Sequence, residues 1–151
     1  MNVLITGASK GLGLCIATVF LNNGWSVYNV SRTRPEIYND NFYHLSFDLS
    51  QTENIKQRVF KEFIRHDTPI HAAVHNAAIA YDEIVTNAKI NPLRKMLDVN
   101  VVAPIMMNRE IIRNMIFNKV AGSIIFISSV SSMTGYKGLS MYAATKGALE
   151  S

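Results

Sequence analysis

Short apolar runs and longer helical repeats alternate along the chain. Val3-Leu4-Ile5-Thr6 reads as a first strand, and a helix follows from about Leu12 to Asn22, with Leu14, Ala17, Val19, Phe20 and Leu21 apolar. Gly24 suits the helix end. Trp25 to Val30 reads as a second strand, the polar stretch Ser31 to Asn41 with Pro35 as a loop, and Phe42 to Phe47 as a third strand. Ser50 is placed to cap a helix from about Gln51 to Arg65, with Ile55, Val59, Phe60 and Phe63 on one face. Pro69 precedes a fourth strand, Ile70 to His75. A long helical stretch, about Asn91 to Asn118, is interrupted near Pro104, which has no backbone N–H to donate. Ser123 to Ser128 reads as a fifth strand, and a last helix begins near Leu139. Strand and helix in alternation predict parallel strands with right-handed crossovers, hence an α/β, doubly wound, Rossmann-like sheet. No repeat, low-complexity tract or linker divides the chain, so residues 1–151 read as a single domain. In such sheets ligands bind beyond the carboxyl ends of the strands.

The first of those ends carries Thr6-Gly7-Ala8-Ser9-Lys10-Gly11-Leu12-Gly13. Glycines between a strand and a helix allow a tight turn and let backbone approach a phosphate. The helix start that follows offers free N–H groups to a pyrophosphate. Gly7, Ser9, Lys10, Gly11, Leu12 and Gly13 are therefore candidate dinucleotide-binding residues. An acid at the end of the second strand would bond the ribose 2′-hydroxyl of NAD, whereas Arg favours the 2′-phosphate of NADP. The chain has Ser31-Arg32-Thr33 there, and Lys10 can reach the same phosphate. Arg32 and Lys10 thus favour NADP(H) over NAD(H), and Thr33 beside Arg32 is a further candidate cofactor contact.

On the last helix Tyr142 and Lys146 are four residues apart and share a face. An ammonium beside a phenol favours the phenolate, and such a pair can exchange a proton at a carbonyl or alcohol oxygen. Ser129, thirteen residues before Tyr142, follows the fifth strand, where its hydroxyl can hydrogen-bond a substrate oxygen.

Together with His75-Asn76-Ala77-Ala78 and Asp98-Val99-Asn100, these motifs resemble the short-chain dehydrogenase/reductase family over the whole chain, in order and spacing. The resemblance implies an NADP(H)-dependent oxidoreductase moving hydride between the nicotinamide and a carbonyl/alcohol substrate. It implies that Tyr142 donates or accepts the proton, that Lys146 tunes Tyr142 and holds the nicotinamide ribose, and that Ser129 orients the substrate oxygen. Asn100 would hold a water in a proton relay. Asp48, followed by Leu49, would contact the adenine, and Asn76 and Ala77 would line the cofactor cleft. The family's helices commonly pack in homo-oligomers, dimers or tetramers. Two departures stand out. Ala78 replaces the glycine usual after the fourth strand, and the chain stops at Ser151, so the fold is expected to be truncated after the fifth strand and part of the next helix. Such a chain is expected to self-associate, with marginal stability and little activity. The alternative function is a non-catalytic NADP(H)-binding or regulatory protein, or an inactive fragment of an enzyme.

Composition narrows this little. Hydrophobic residues make up 48% of the chain and charged ones 17%, an ordinary globular balance. The net charge of +4 is scattered without a basic block, which argues against nucleic acid as a partner. No apolar run is long enough to span a membrane. The lone Cys15 allows no intrachain disulfide and fits the cytoplasm. Cys15 is expected in the core, as are Met96, Met106, Met107 and Met115. His71 and His75, on one face of the fourth strand, read as packing rather than metal ligands. Trp25 reads as packing too, and Asp82 and Glu83 as a solvated helix start.

Overall fold

The computed structural model describes residues 1–151 throughout. Five strands form one parallel sheet: β1 (Asn2–Thr6), β2 (Ser26–Ser31), β3 (Phe42–Ser46), β4 (Ala72–His75) and β5 (Ser123–Phe126). Their spatial order is β3-β2-β1-β4-β5. The chain therefore builds outward from β1 to one edge, then crosses back to lay β4 on the other side. The crevice that such a reversal opens lies beyond the carboxyl ends of β1 and β4. Thr6 is in register with both Val30 and His75 there.

Alternate strand residues feed two cores. Val3, Ile5, Val27, Ala72 and Val74 pack with Ala17 of α1 (Gly11–Asn22). Leu4, Val30 and Ala73 face the opposite side, against Ile55, Val59 and Phe60 and against Met107, Ile111 and Met115 of α3 (Ala103–Phe117). Covering both faces is what a parallel sheet requires. The predicted strands are present, each within two residues of its expected start.

The helices depart from expectation in instructive ways. The segment expected as one helix over 51–65 is a 3-10 turn, Thr52–Asn54, followed by the π-wound helix Lys56–Phe63. Ser50 does not cap it; its hydroxyl donates to the Asp48 carboxylate at 2.9 Å, an ionised and hence stronger acceptor. The long helical stretch divides into α2 (Ile90–Leu97), a π turn Asp98–Val102, and α3. Pro104 cannot donate to the Asn100 carbonyl four residues earlier. The helix widens there, and the Ala103 N–H bonds the Asp98 carbonyl instead. Asp82 and Glu83 lie just ahead of a 3-10 turn, Val85–Asn87, in irregular backbone that the Glu83 N–H ties to the Gly138 carbonyl. Cys15 is exposed, not in the core, because Gly13 and Ala17 occupy the face of α1 that meets the sheet. The methionines pack as expected: Met96, Met107 and Met115 are buried and Met106 lies against the core. His71 and His75 do not share surroundings. His71 sits edge-on to Trp25, whereas His75 stacks on Phe126 and donates to Asn108 Oδ1 at 2.7 Å. The last helix, α4, runs Ser140–Glu150.

Candidate active site

The glycine loop is held from three sides. Asn76 Nδ2 donates to the carbonyls of Thr6 (3.1 Å) and Gly7 (3.0 Å), and the Asn76 and Ala77 amides both donate to Thr6 Oγ1. The Gly7 amide bonds the Val30 carbonyl, and the Ala8 amide bonds Asn29 Oδ1 at 3.1 Å. Gly7 adopts φ +75 and Gly11 φ +57, both left-handed. A Cβ on Gly7 would lie 2.8 Å from Ala77 Cα, and one on Gly13 would lie 2.5 Å from the Gly7 carbonyl oxygen. A Cβ on Gly11 would meet nothing within 4 Å; it would project into open space where Gly11 lines a cleft of about 500 Å³. Leu14 makes the first helical bond, to the Lys10 carbonyl, so the amides before it are the free donors of a helix start.

That cleft runs from the glycine loop along the ends of β2 and β3. Gly7, Ser9, Lys10 and Gly11 line one end, Arg32 and Thr33 its side, and Asp48, Leu49, Asn76 and Ala77 the remainder. Leu12, which is exposed, and Gly13, which is buried, do not line it. The Arg32-Thr33 turn is fixed by its own network. Asn29 is fully buried and donates to Ser31 Oγ and His44 Nδ1; Ser31 Oγ donates to the Thr33 carbonyl and Ser46 Oγ to the Arg32 carbonyl. Lys10 and Arg32 themselves form no ion pair. Asp48 Oδ1 accepts from the Ser50 amide and hydroxyl, and Lys95 Nζ lies 3.4 Å from Oδ2. The Ser50 amide, more than any other neighbour, holds the Asp48 carboxyl below the usual carboxylate range; the Ser50 hydroxyl and Lys95 reinforce it against burial.

The proton-transfer candidates lie beyond the β4 side of this cleft, joined to it by Asn100. Ala78 and Ile79 line the cleft. Asn100, 1% exposed, exchanges two hydrogen bonds of 2.9 Å with the Ile79 backbone. Its remaining N–H donates to Thr145 Oγ1 at 3.0 Å, and the buried Thr145 hydroxyl donates to the Tyr142 carbonyl at 2.7 Å. The Asn100 side chain is thus a clamp between the cleft and α4. Lys146 is 3% exposed. Its ammonium donates to the Ile127 carbonyl at 2.7 Å and lies 5.7 Å from the centre of the Tyr142 ring. Burial lowers the Lys146 pKa. The Tyr142 hydroxyl has no protein partner and is only half-buried. Ser129 caps the turn Val130–Ser132, its oxygen accepting from the Ser131 amide and hydroxyl, which leaves its own proton free to donate. Glu150 near the end of α4 accepts from Ser128 ahead of that turn and from Ser132 at its end.

Ala78 has no positive φ, so the missing glycine imposes no left-handed strain. Four contributors escaped sequence reasoning: Asn29, Thr145, Lys95 and Thr6. Asn29 had a signal, being polar in the middle of a strand. The others are ordinary residues whose roles come from partners distant in sequence.

A family model described as short chain dehydrogenase matches residues 1–151. Sorbitol-6-phosphate 2-dehydrogenase from Klebsiella pneumoniae is 28% identical, over 99% of this chain and 59% of its own length. The chain spans about three fifths of the length of the curated relatives it matches. Among solved structures, the closed form of serine dehydrogenase complexed with NADP+ superposes with a TM-score of 0.88 at 28% identity, covering 99% of this chain and 62% of that one. 4-Hydroxyisoleucine dehydrogenase complexed with NADH gives 0.85 at 27% identity, covering 98% and 64%.

Proposed function

The chain belongs to the short-chain dehydrogenase family of oxidoreductases, and from that premise we propose that it binds NADP(H) and carries the proton-transfer residues of a reductase or dehydrogenase for a carbonyl/alcohol substrate. The observation that carries this reading is the join between cleft and helix: Asn100 ties the cleft-lining Ile79 to Thr145, between Tyr142 and the buried Lys146. A protein that only held a nucleotide would not need Ser129, Tyr142 and Lys146 alongside it.

A dinucleotide fits the residues present. Gly7 and Gly11 line the cleft without side chains, and the start of α1 supplies amide donors for a pyrophosphate. Arg32 and Lys10 are unpaired cations on one side of the cleft, and no acid ends β2, which supports NADP(H) over NAD(H). Asp48 and Leu49 would take the adenine end, and Asn76 and Ala77 the inner wall. When bound, the cofactor supplies or accepts hydride at its nicotinamide. The Tyr142 phenol gives its proton to the substrate oxygen, or takes it in the reverse direction. Ser129 donates its free hydroxyl proton to the same oxygen. Lys146, with N–H groups left beyond its bond to Ile127, holds positive charge against the Tyr142 ring and reaches the cofactor ribose. Residues 1–151 act here as one nucleotide-binding unit, in the cytoplasm. A homo-oligomer is part of the proposal, on the exposed Ile105, Ile112 and Ile116 of α3. No helix is long and apolar enough to cross a membrane.

The test is turnover by the full-length protein. Tyr142→Phe keeps the ring and should leave NADPH binding nearly intact while removing most carbonyl-dependent NADPH oxidation. Near-normal turnover in that variant would end the proton-donor assignment.

A further inference from the structure

Lys95 lies outside every motif described above, yet it stands in the cleft wall. It belongs to α2, on the β4 side of the sheet's switch point, whereas its partner Asp48 follows β3 on the other. The pair spans the end of the cleft away from the glycine loop. Phe47, Leu49 and Val99 line that end and are buried, which gives it apolar walls suited to a flat ring. Asp48 Oδ1 is taken up by Ser50, so Oδ2, beside Lys95, is the acceptor left to face a ligand. The Lys95 ammonium has three N–H groups and Asp48 as its only ion-pair partner. The side chains are 49% and 28% exposed, so the bridge adds little to stability, and water reaches both groups when the cleft is open.

We propose that Lys95 is a base-recognition residue, donating to the ring nitrogen beside the amino group of a bound adenine while Asp48 accepts from that amino group. This rests on the dinucleotide reading of the cleft. Adenine presents an acceptor nitrogen next to its N–H donors, an alternation that needs one donor and one acceptor side by side on the protein. Lys95 and Asp48 supply them, one from each half of the fold. Their contact in the structure is the resting state of two groups that a base would draw apart. The rest of the cationic lining, Lys10 and Arg32, lies with the glycine loop and the end of β2, so Lys95 has no phosphate to serve in that arrangement.

The experiment is calorimetric titration of the protein with NADP+ and with its 1-deazaadenine and 7-deazaadenine analogues, each lacking one ring nitrogen beside the amino group. One of the two analogues should bind the unmodified protein about fivefold more weakly than NADP+, as loss of a charge-assisted hydrogen bond at a partly exposed site requires. In Lys95→Met that difference should vanish, and NADP+ itself should bind about fivefold more weakly. Lys95→Arg should restore both, and melting temperatures should stay level. A general loss of positive charge would weaken all three ligands alike and leave their ratios unchanged. Equal affinity of the unmodified protein for all three ligands, or unchanged ratios in Lys95→Met, overturns the inference while leaving the cofactor site standing. Failure of NADP+ and NAD+ alike to bind overturns the cofactor reading and this one with it.

Discussion

Gly11 and Gly13 stand two residues apart and are glycine for opposite reasons. Gly13 is helical and crowded, since a Cβ there would collide with Asn76 Nδ2 and the Gly7 carbonyl. Gly11 is uncrowded, but its φ of +57 disfavours any side chain, and it lines the cleft. Gly13→Ala should therefore lower stability by about 1–3 kcal/mol through overpacking. Gly11→Ala should cost about 1–2 kcal/mol for the left-handed backbone and, unlike Gly13→Ala, weaken NADPH beyond any loss of stability. Urea unfolding and NADPH titration of both variants separate the two. At this scale the sequence was readable where a residue type carries its own reason. The glycines, Arg32, Tyr142 and Lys146 announce themselves by chemistry and spacing. Asn29 bonds Ala8 and His44, 21 and 15 residues away, and Thr145 bonds Asn100 across 45 residues. No local spacing rule reaches partners that only the fold brings together.

Between elements, Asn100 forms a joint of three hydrogen bonds. Asn100→Ala would leave the half-buried Ile79 amide and carbonyl without their side-chain partner and take from the buried Thr145 hydroxyl the N–H that it accepts. It should cost on the order of 1–3 kcal/mol, read from unfolding midpoints. The break at Pro104 was legible as an interruption, but not its form, because a missing N–H does not say how the turn before it rewinds. Another joint is His75 of β4, stacked on β5 and bonded to α3. Burial pushes its pKa below the ordinary imidazole value, opposed by the Asn108 bond. His44 is lowered too, by burial and then by Arg34. For such groups the unfolded chain binds a proton before the folded one does. Their contribution is fully present above the unfolded pKa of about 6.5 and declines as pH falls below it. The unfolding midpoint in urea should drop between pH 7 and pH 5, and His75→Asn should flatten that slope. A midpoint level over the range would contradict the buried neutral state.

Across the whole molecule, the strand order was legible because an alternation of short apolar runs with helices leaves few right-handed solutions. The site follows from that order. The reversal after β3 opens the crevice, and residues from both halves meet across it: Gly7 with Ala77, Asp48 with Lys95. The path of the cleft wall could not be read beforehand, since it depends on where β3 and α2 end relative to one another. Cofactor choice is the central claim at this scale, and it rests on Arg32 and Lys10 facing one cleft from two loops. It is tested most directly by calorimetric titration of NADPH and NADH against the unmodified protein and Arg32→Ala. A charge-assisted contact to the 2′-phosphate is worth about 1.5–3 kcal/mol, so NADPH should bind at least about tenfold tighter than NADH, and Arg32→Ala should erase most of that margin. Equal affinities in the unmodified protein, or an undiminished preference in Arg32→Ala, would contradict the account.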